Sequence, residues 1–151
     1  MHRTYKEILE AFAAEAREAG KDPAGMPRLI ELAVAFTDDE NEAIESRKTY
    51  WAATFVPALF TQRIYTPKMA EENGKVVGSD TIGKAVCISS DPADHVKFAQ
   101  KYIDPGFDRL YFHSAGPDQR KFIEAYGRGV LPKLRESNDS KTRASLAGSS
   151  R

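Results

Sequence analysis

The sequence predicts an α/β fold in which parallel strands alternate with helices. Short apolar runs alternate along the chain with amphipathic patterns of helical period, and helix-start signals follow the apolar runs. The length of 151 residues, with 41% hydrophobic and 29% charged residues, is typical of one globular domain. The predicted order is helix, strand, helix, an irregular stretch, short helix, short strand, helix, strand, helix.

The first elements are a helix, a strand and a second helix. Apolar residues lie near helical spacing from Tyr5 to Gly20, where the glycine ends the helix. The nearly continuous apolar run "RLIELAVAF" (Arg28–Phe36) predicts a strand that is buried on both faces. Asp38 is the predicted cap of a helix that runs to about Tyr50, with acidic residues in its first turn, where the helix dipole favours them.

The middle of the chain has a weaker pattern. The segment Trp51–Val77 contains aromatic residues and prolines without clear periodicity, and it is long for a connection. Insertions of this length in compact domains are usually functional or mobile. Ser79 then begins a short helix, "SDTIGKA", and Ala85–Ser90 is predicted to be a short extended segment.

The last part contains a helix, a strand and a long final helix. Asp91 is the predicted cap of the first of these helices, with Pro92 at its first position. The run "DRLYFHS" predicts a strand, and Pro132 is expected to kink the helix that follows. Residues 137–151 are small and polar without periodicity, which predicts a disordered tail. Two clear strands and one weak strand are too few for a complete parallel sheet, so the pattern is typical of a slice of a larger α/β protein.

Composition and charge limit the class of partner. Lys plus Arg and Asp plus Glu number 22 each, which gives no electrostatic reason to expect nucleic acid or an acidic membrane. No apolar run approaches the roughly 18 residues that span a membrane. The single cysteine, Cys87, excludes an internal disulfide and is interpreted as a core residue. We therefore expect a cytoplasmic protein that acts on a small molecule, without a nucleic-acid or membrane partner.

The three histidines show no metal-ligand spacing, so no metal site is predicted. His2 and His95 are predicted to lie at the surface. His113 ends the last strand, which is the place where α/β enzymes position chemistry. The favoured interpretation is structural, with His113 bonded to the following helix, because no carboxylate at a suitable spacing is evident.

Several motifs together carry a family resemblance. Within Ser89–Glu136, Ser-Asp-Pro opens a helix, Gly-Phe precedes the last strand, Phe-His-Ser-Ala-Gly-Pro-Asp-Gln-Arg follows it, and Val-Leu-Pro-Lys-Leu lies at the end. This stretch resembles the C-terminal end of the luciferase-like oxidoreductases, and most closely the F420-dependent glucose-6-phosphate dehydrogenase type. The upstream part, from Tyr5 to Ala52, fits the same family.

The resemblance implies a fold and a cofactor. The family folds as a (β/α)8 barrel, a fold of about 250 residues. Residues 1–136 would then be the C-terminal portion of such a barrel, with strand seven at Arg28–Phe36 and strand eight at Asp108–His113, and not a complete barrel. Coenzyme F420 is the implied cofactor, with FMN as the alternative. The family's catalytic His, Trp and Glu lie on earlier strands, so no catalytic residue is assigned here.

The resemblance also implies candidate substrate-binding residues. In sugar-phosphate members of the family, a lysine in the insertion and a later arginine bind the substrate phosphate, and two cations suit a dianion. Arg63 lies near the lysine position, with Lys68 as its neighbour, whereas Ala85 stands at the arginine position and departs from the pattern. Trp51 and His113 complete the set of candidate substrate-binding residues.

The implied function is part of an F420-dependent oxidoreductase. It would move a hydride between the deazaflavin and an alcohol or sugar-phosphate-like substrate, and the chain alone is expected to be inactive. The alternative is a non-catalytic half-barrel or interaction protein that assembles with a partner chain. That partner would be a second copy, giving a homodimer, or a separate N-terminal half, and pairing would use exposed edges of strands seven and eight. A mis-started coding sequence is a third interpretation.

Overall fold

The computed structural model describes residues 4–56 and 66–136. The helices are α1 (Tyr5–Glu18), α2 (Glu40–Trp51), α3 (Pro67–Gly74), α4 (Ser79–Ala85), α5 (Pro92–Ile103) and α6 (Gln119–Ala125), and the strands are β1 (Leu29–Phe36), β2 (Cys87–Ser89) and β3 (Arg109–Ser114). This order confirms the predicted alternation. Arg63 and the predicted tail at 137–151 lie outside the described residues. No helix within the described ranges is long and apolar enough to cross a membrane.

The three strands form one parallel sheet in the order β2-β1-β3, which confirms the predicted α/β class. β3 aligns with β1 from Leu29 to Val34, whereas β2 pairs only with the last three residues of β1. The predicted exposed edge of the first strand is found over part of its length. β1 lies in the centre of the sheet, and on its β2 side the residues from Leu29 to Ala33 have no strand partner among the described residues.

The two faces of the sheet are covered differently. Side chains alternate between the faces of a strand. Val34 and Phe112 lie in a core cluster with residues of α5 and of the helix that begins with α6. On the opposite face, Ala35 packs against Ala43 of α2 and Ile82 of α4. Helices therefore cover the first face broadly, and α2 and α4 cover the second face near the carboxyl ends of the strands.

The second face is open near the amino ends of the strands. Leu29 is 46% exposed and Tyr111 is 56% exposed, which is unusual for large apolar side chains on a sheet. Together with Glu31 and His113 they line a shallow hollow of about 390 Å³. We call this surface the open sheet face.

The cap of α2 is Asp39 and not the predicted Asp38. The Asp39 side chain accepts a hydrogen bond from the Glu42 N–H at 2.9 Å, and the Thr37 hydroxyl accepts one from the Asp39 N–H at 3.1 Å. This turn after β1 places the second aspartate at the cap, while Asp38 contacts the Lys121 ammonium at 3.5 Å. Two adjacent aspartates have the same preference for the N-cap position, so the sequence alone does not distinguish them. The geometry of the turn determines which one caps the helix.

The second half of the chain agrees with its predicted helix starts. The Asp91 side chain accepts a hydrogen bond from the Ala93 N–H, with Pro92 at the first helical position. The helix that contains Pro132 has a π-helical turn over Tyr126–Val130, after which residues 131–136 are helical. Proline has no N–H to give to residue 128, and the wider turn accommodates a locally altered bonding pattern.

Helix α3 was not predicted, because its short sequence lies inside the irregular insertion. The Thr66 side chain caps it by accepting a hydrogen bond from the Met69 N–H at 3.2 Å. Gly74 ends the helix against the 3-10 turn Ala52–Phe55, and a Cβ atom at Gly74 would lie 2.9 Å from the Ala53 nitrogen. The glycine therefore permits a close approach of backbone that a larger residue would prevent.

His95 is buried, so its predicted surface position is wrong. Its Nδ1 lies 2.9 Å from the Tyr126 hydroxyl and its Nε2 lies 2.9 Å from the Ser89 carbonyl oxygen. His95 and Ala99 are four residues apart and share the buried face of α5. Cys87 is half-buried, and burial raises the pKa of its thiol to about 11, in agreement with the predicted core role.

Candidate functional site

A polar pair lies on the open sheet face. The His113 Nδ1 atom is 3.0 Å from the Glu31 Oε1 atom, and the two side chains are 23% and 68% exposed. The strand register places Glu31 opposite Tyr111 and Ala33 opposite His113. Glu31 and His113 are therefore diagonal neighbours on one face of the β1–β3 pair, a separation that long side chains bridge.

Trp51 extends this pair toward the carboxyl ends of the strands. It is the last residue of α2, and its ring centroid lies 4.0 Å from that of His113 with the two planes at 87°. The indole is 39% exposed, so one side of it remains available to a ligand. The structure thus brings together two residues that were predicted to bind substrate, and their binding role stays a prediction.

Arg47 lies one helical turn before Trp51 and completes the group. Its guanidinium carbon is 5.5 Å from the centroid of the Trp51 ring and 5.6 Å from that of Phe55, within the range of a cation–π contact. Arg47 is only 8% exposed, and burial lowers its pKa, while the negative charge of Glu31 acts in the opposite direction. Its Nε atom is buried without a hydrogen-bond partner among the described residues. We call Glu31, Arg47, Trp51 and His113 the sheet-face cluster.

Sequence reasoning found half of this cluster. Glu31 is a charge inside an apolar strand, and it supplies the carboxylate that His113 was expected to lack. Local spacing could not show it, because the two residues meet only through the pairing of distant strands. Arg47 was missed because it looks like one of several charges on a helix. Its spacing of four residues from Trp51 was the available signal.

The other predicted residues lie elsewhere. Lys68 is exposed in the first turn of α3, and Arg63 falls outside the described ranges. Asp118 caps α6 by accepting a hydrogen bond from the Lys121 N–H at 2.9 Å. The turn before α6 is therefore closed by the side chain of its own capping residue. Within residues 4–56 and 66–136, no group of three or more His, Cys, Asp or Glu side chains could hold a metal ion.

The sheet-face cluster suits the recognition of a polar ligand. If the His113 proton lies on Nδ1, Glu31 accepts it in a hydrogen bond, and Nε2 is left as an acceptor for a ligand hydroxyl. Trp51 provides a flat apolar wall beside this acceptor. Arg47 adds a positive charge beside the same indole.

No protein-family model matches the chain. A search of curated proteins finds the F420-dependent glucose-6-phosphate dehydrogenase of Mycolicibacterium gilvum (strain PYR-GCK), 32% identical over 87% of this chain and 39% of that protein. The enzyme of the same name from Rhodococcus erythropolis (strain PR4 / NBRC 100887) is 30% identical over 86% of this chain and 38% of that protein. A solved structure of an F420-dependent secondary alcohol dehydrogenase, in complex with an F420-acetone adduct, matches with a TM-score of 0.75 and 25% identity, over 85% of this chain and 40% of that one.

This chain is related to the F420-dependent, luciferase-like oxidoreductases. It matches their C-terminal part and spans about two fifths of the length of these relatives. The small parallel sheet therefore corresponds to a fragment of a TIM-barrel enzyme. The names of these relatives support F420 as the family's cofactor, and they do not support FMN.

The described residues fit one side of a deazaflavin site. The exposed indole of Trp51 suits contact with a flat ring system, and the His113 Nε2 atom suits a polar group beside it. The positive charge of Arg47 beside the indole suits an anionic group. These residues form one wall, and the open sheet face leaves the opposite side to other residues.

Proposed function

We propose that this chain forms the C-terminal part of the active site of an F420-dependent, luciferase-like oxidoreductase. The enzyme would transfer a hydride between the deazaflavin and an alcohol or sugar-phosphate-like substrate. The observation that carries this proposal is the sheet-face cluster, which lies on an open sheet face beside α2, in a chain related to enzymes named for such reactions. In cofactor enzymes, the protein supplies binding and orientation, and the cofactor carries the electron chemistry.

Strands β1 and β3 are proposed to be barrel strands seven and eight, within a barrel portion at residues 1–136. They are direct parallel neighbours, as consecutive barrel strands are, whereas β2 pairs with β1 over three residues only. In a barrel, alternate residues of each strand point to the interior. The open sheet face would then be interior surface, which explains why Leu29 and Tyr111 are exposed in this chain.

Each residue of the cluster has a proposed task. F420 supplies the hydride chemistry when it is bound. His113 would hydrogen-bond the substrate hydroxyl through Nε2, and Glu31 would hold the imidazole in position from the other nitrogen. Trp51 would contact the flat ring or the substrate carbon chain.

The chain alone is expected to show no turnover, and a chimera tests the proposal. Residues 4–136 would replace the matching C-terminal part of the Mycolicibacterium relative, and F420 reduction would be followed with glucose-6-phosphate and with a secondary alcohol. We expect turnover by the folded, F420-binding chimera and at least a tenfold loss in its His113→Ala variant. Turnover by the 151-residue chain alone would refute the incomplete-site proposal, and a folded chimera that binds F420 without turnover would refute the contribution to catalysis.

The second candidate is a non-catalytic half-barrel that assembles with a partner chain. The exposed apolar side chains Leu29 and Tyr111 favour it, because such surface usually becomes buried in an interface. If the chain assembles with a partner chain while the chimera shows no turnover, this candidate is favoured over the first.

A further inference from the structure

We propose that Arg47 forms a binding site for a compact anion, a phosphate or a carboxylate, that is carried by the substrate. Its guanidinium carbon lies 5.5 Å from the centroid of the Trp51 ring, and the ring of His113 contacts the same indole with a centroid distance of 4.0 Å. The assignment of the anion to a substrate rests on the proposed function. Anion binding itself can be measured without turnover.

Arg47 is held in place by rings and not by hydrogen bonds. The guanidinium lies near Trp51 and Phe55, and no hydrogen bond to it is found among the described residues. An arginine fixed in this way keeps its fork of N–H donors, which matches the geometry of carboxylate and phosphate oxygens. Of its three nitrogens, Nε is the one sealed from solvent, so an anion would approach the terminal nitrogens.

The charge of Arg47 lacks a close counterion among the described residues. Glu31 is near enough to influence Arg47 electrostatically, but its carboxylate is hydrogen-bonded to His113 and forms no ion pair with Arg47 within 4.0 Å. A buried charge without a direct partner is costly, and a ligand that supplies the partner recovers part of that cost. The negative charge of Glu31 would repel an incoming anion. Removing that charge should therefore increase the affinity of the site for an anion.

The chain contains its own reporter for this site. Trp51 is the only tryptophan, so intrinsic indole fluorescence reports on the ring that both Arg47 and His113 contact. The 151-residue chain would be titrated with inorganic phosphate and separately with acetate, at an ionic strength held constant with sodium chloride. A saturable change in fluorescence with one of these anions is the expected result, and the preferred anion identifies the substrate group.

Four variants define the site. We expect Arg47→Met to abolish the response and Arg47→Lys to weaken binding about tenfold, because lysine keeps the charge and loses the fork. Glu31→Gln should tighten binding several-fold by removing the opposing charge. Lys97→Gln is the control, since it removes an exposed charge from α5 and should leave the affinity unchanged. If Arg47→Met fails to fold by circular dichroism, the comparison rests on Arg47→Lys.

Several results would overturn the site. They are the absence of a saturable response to either anion, equal responses in wild type and Arg47→Met, and unchanged affinity in Arg47→Lys. Failure here is distinguishable from failure of the proposed function. A catalytically active chimera without anion binding would reject Arg47 alone, and anion binding in a chain whose chimera is inactive would leave the site in place.

Discussion

At the residue scale, His95 illustrates how a polar residue contributes to the core. Both of its ring nitrogens have partners at 2.9 Å, and the side chain joins α5 to the turn after α6 and to the end of β2. Replacing it by alanine leaves a cavity and removes the partner of the buried Tyr126 hydroxyl, while the Ser89 carbonyl keeps the hydrogen bond that it accepts from the Thr37 N–H. We expect His95→Ala to lower the free energy of unfolding by about 2–4 kcal/mol in urea denaturation. The exposed Lys97 on the same helix is the matched control, and Lys97→Ala should change that free energy by less than about 0.5 kcal/mol.

The same residue makes stability depend on pH. Burial lowers the pKa of His95 below its ordinary value of 6.5, so the folded state favours the neutral ring. As pH falls below about 6.5, the unfolded chain binds the proton first, and stability is lost until the folded-state pKa is also passed. His95→Gln removes this contribution while it keeps a polar side chain. A wild-type fall in stability between pH 7 and 5.5 that persists unchanged in His95→Gln would contradict the assignment.

At the scale of elements, the cap of α2 links stability to the site, because this helix carries Arg47 and Trp51. Asp39 accepts a hydrogen bond from the first turn, whereas the adjacent Asp38 makes one 3.5 Å contact with Lys121 at the surface. We expect Asp39→Ala to lower the free energy of unfolding by about 1 kcal/mol and Asp38→Ala to have a smaller effect. Chemical denaturation of both variants distinguishes them. Equal losses would mean that the cap is shared between the two aspartates.

Elements with local signals could be predicted from the sequence, and those defined by tertiary contact could not. Asp91 and Pro92 mark the start of α5 through chemistry that is local to the helix end. Helix α3 was missed because the close approach of Gly74 to Ala53 is a tertiary fact. The site divides in the same way. His113 and Trp51 were found by position and resemblance, while Glu31 and Arg47 act through partners that only the folded chain brings near.

At the scale of the whole molecule, the open sheet face is the main feature without an internal partner in the described residues. One face of the sheet is packed by α5 and α6, and the other is covered only near the carboxyl ends of the strands. Leu29 and Tyr111 are diagonal neighbours in the uncovered part, on adjacent paired strands. Burial of apolar surface is worth roughly 25 cal/mol per Å², so this face gains by contact with another surface.

This face is therefore expected to drive self-association of the 151-residue chain in the absence of other barrel strands. Tyr111→Lys places a charge in the middle of the face and should shift sedimentation velocity profiles toward the monomer by raising the dissociation constant at least tenfold. Val76→Lys is the matched control, because Val76 is 80% exposed and lies outside the open sheet face. A wild-type chain that is monomeric at all concentrations would contradict the prediction, as would equal effects of the two lysines. In the chimera, the same Tyr111→Lys change should impair folding, because the barrel interior would then enclose the charge.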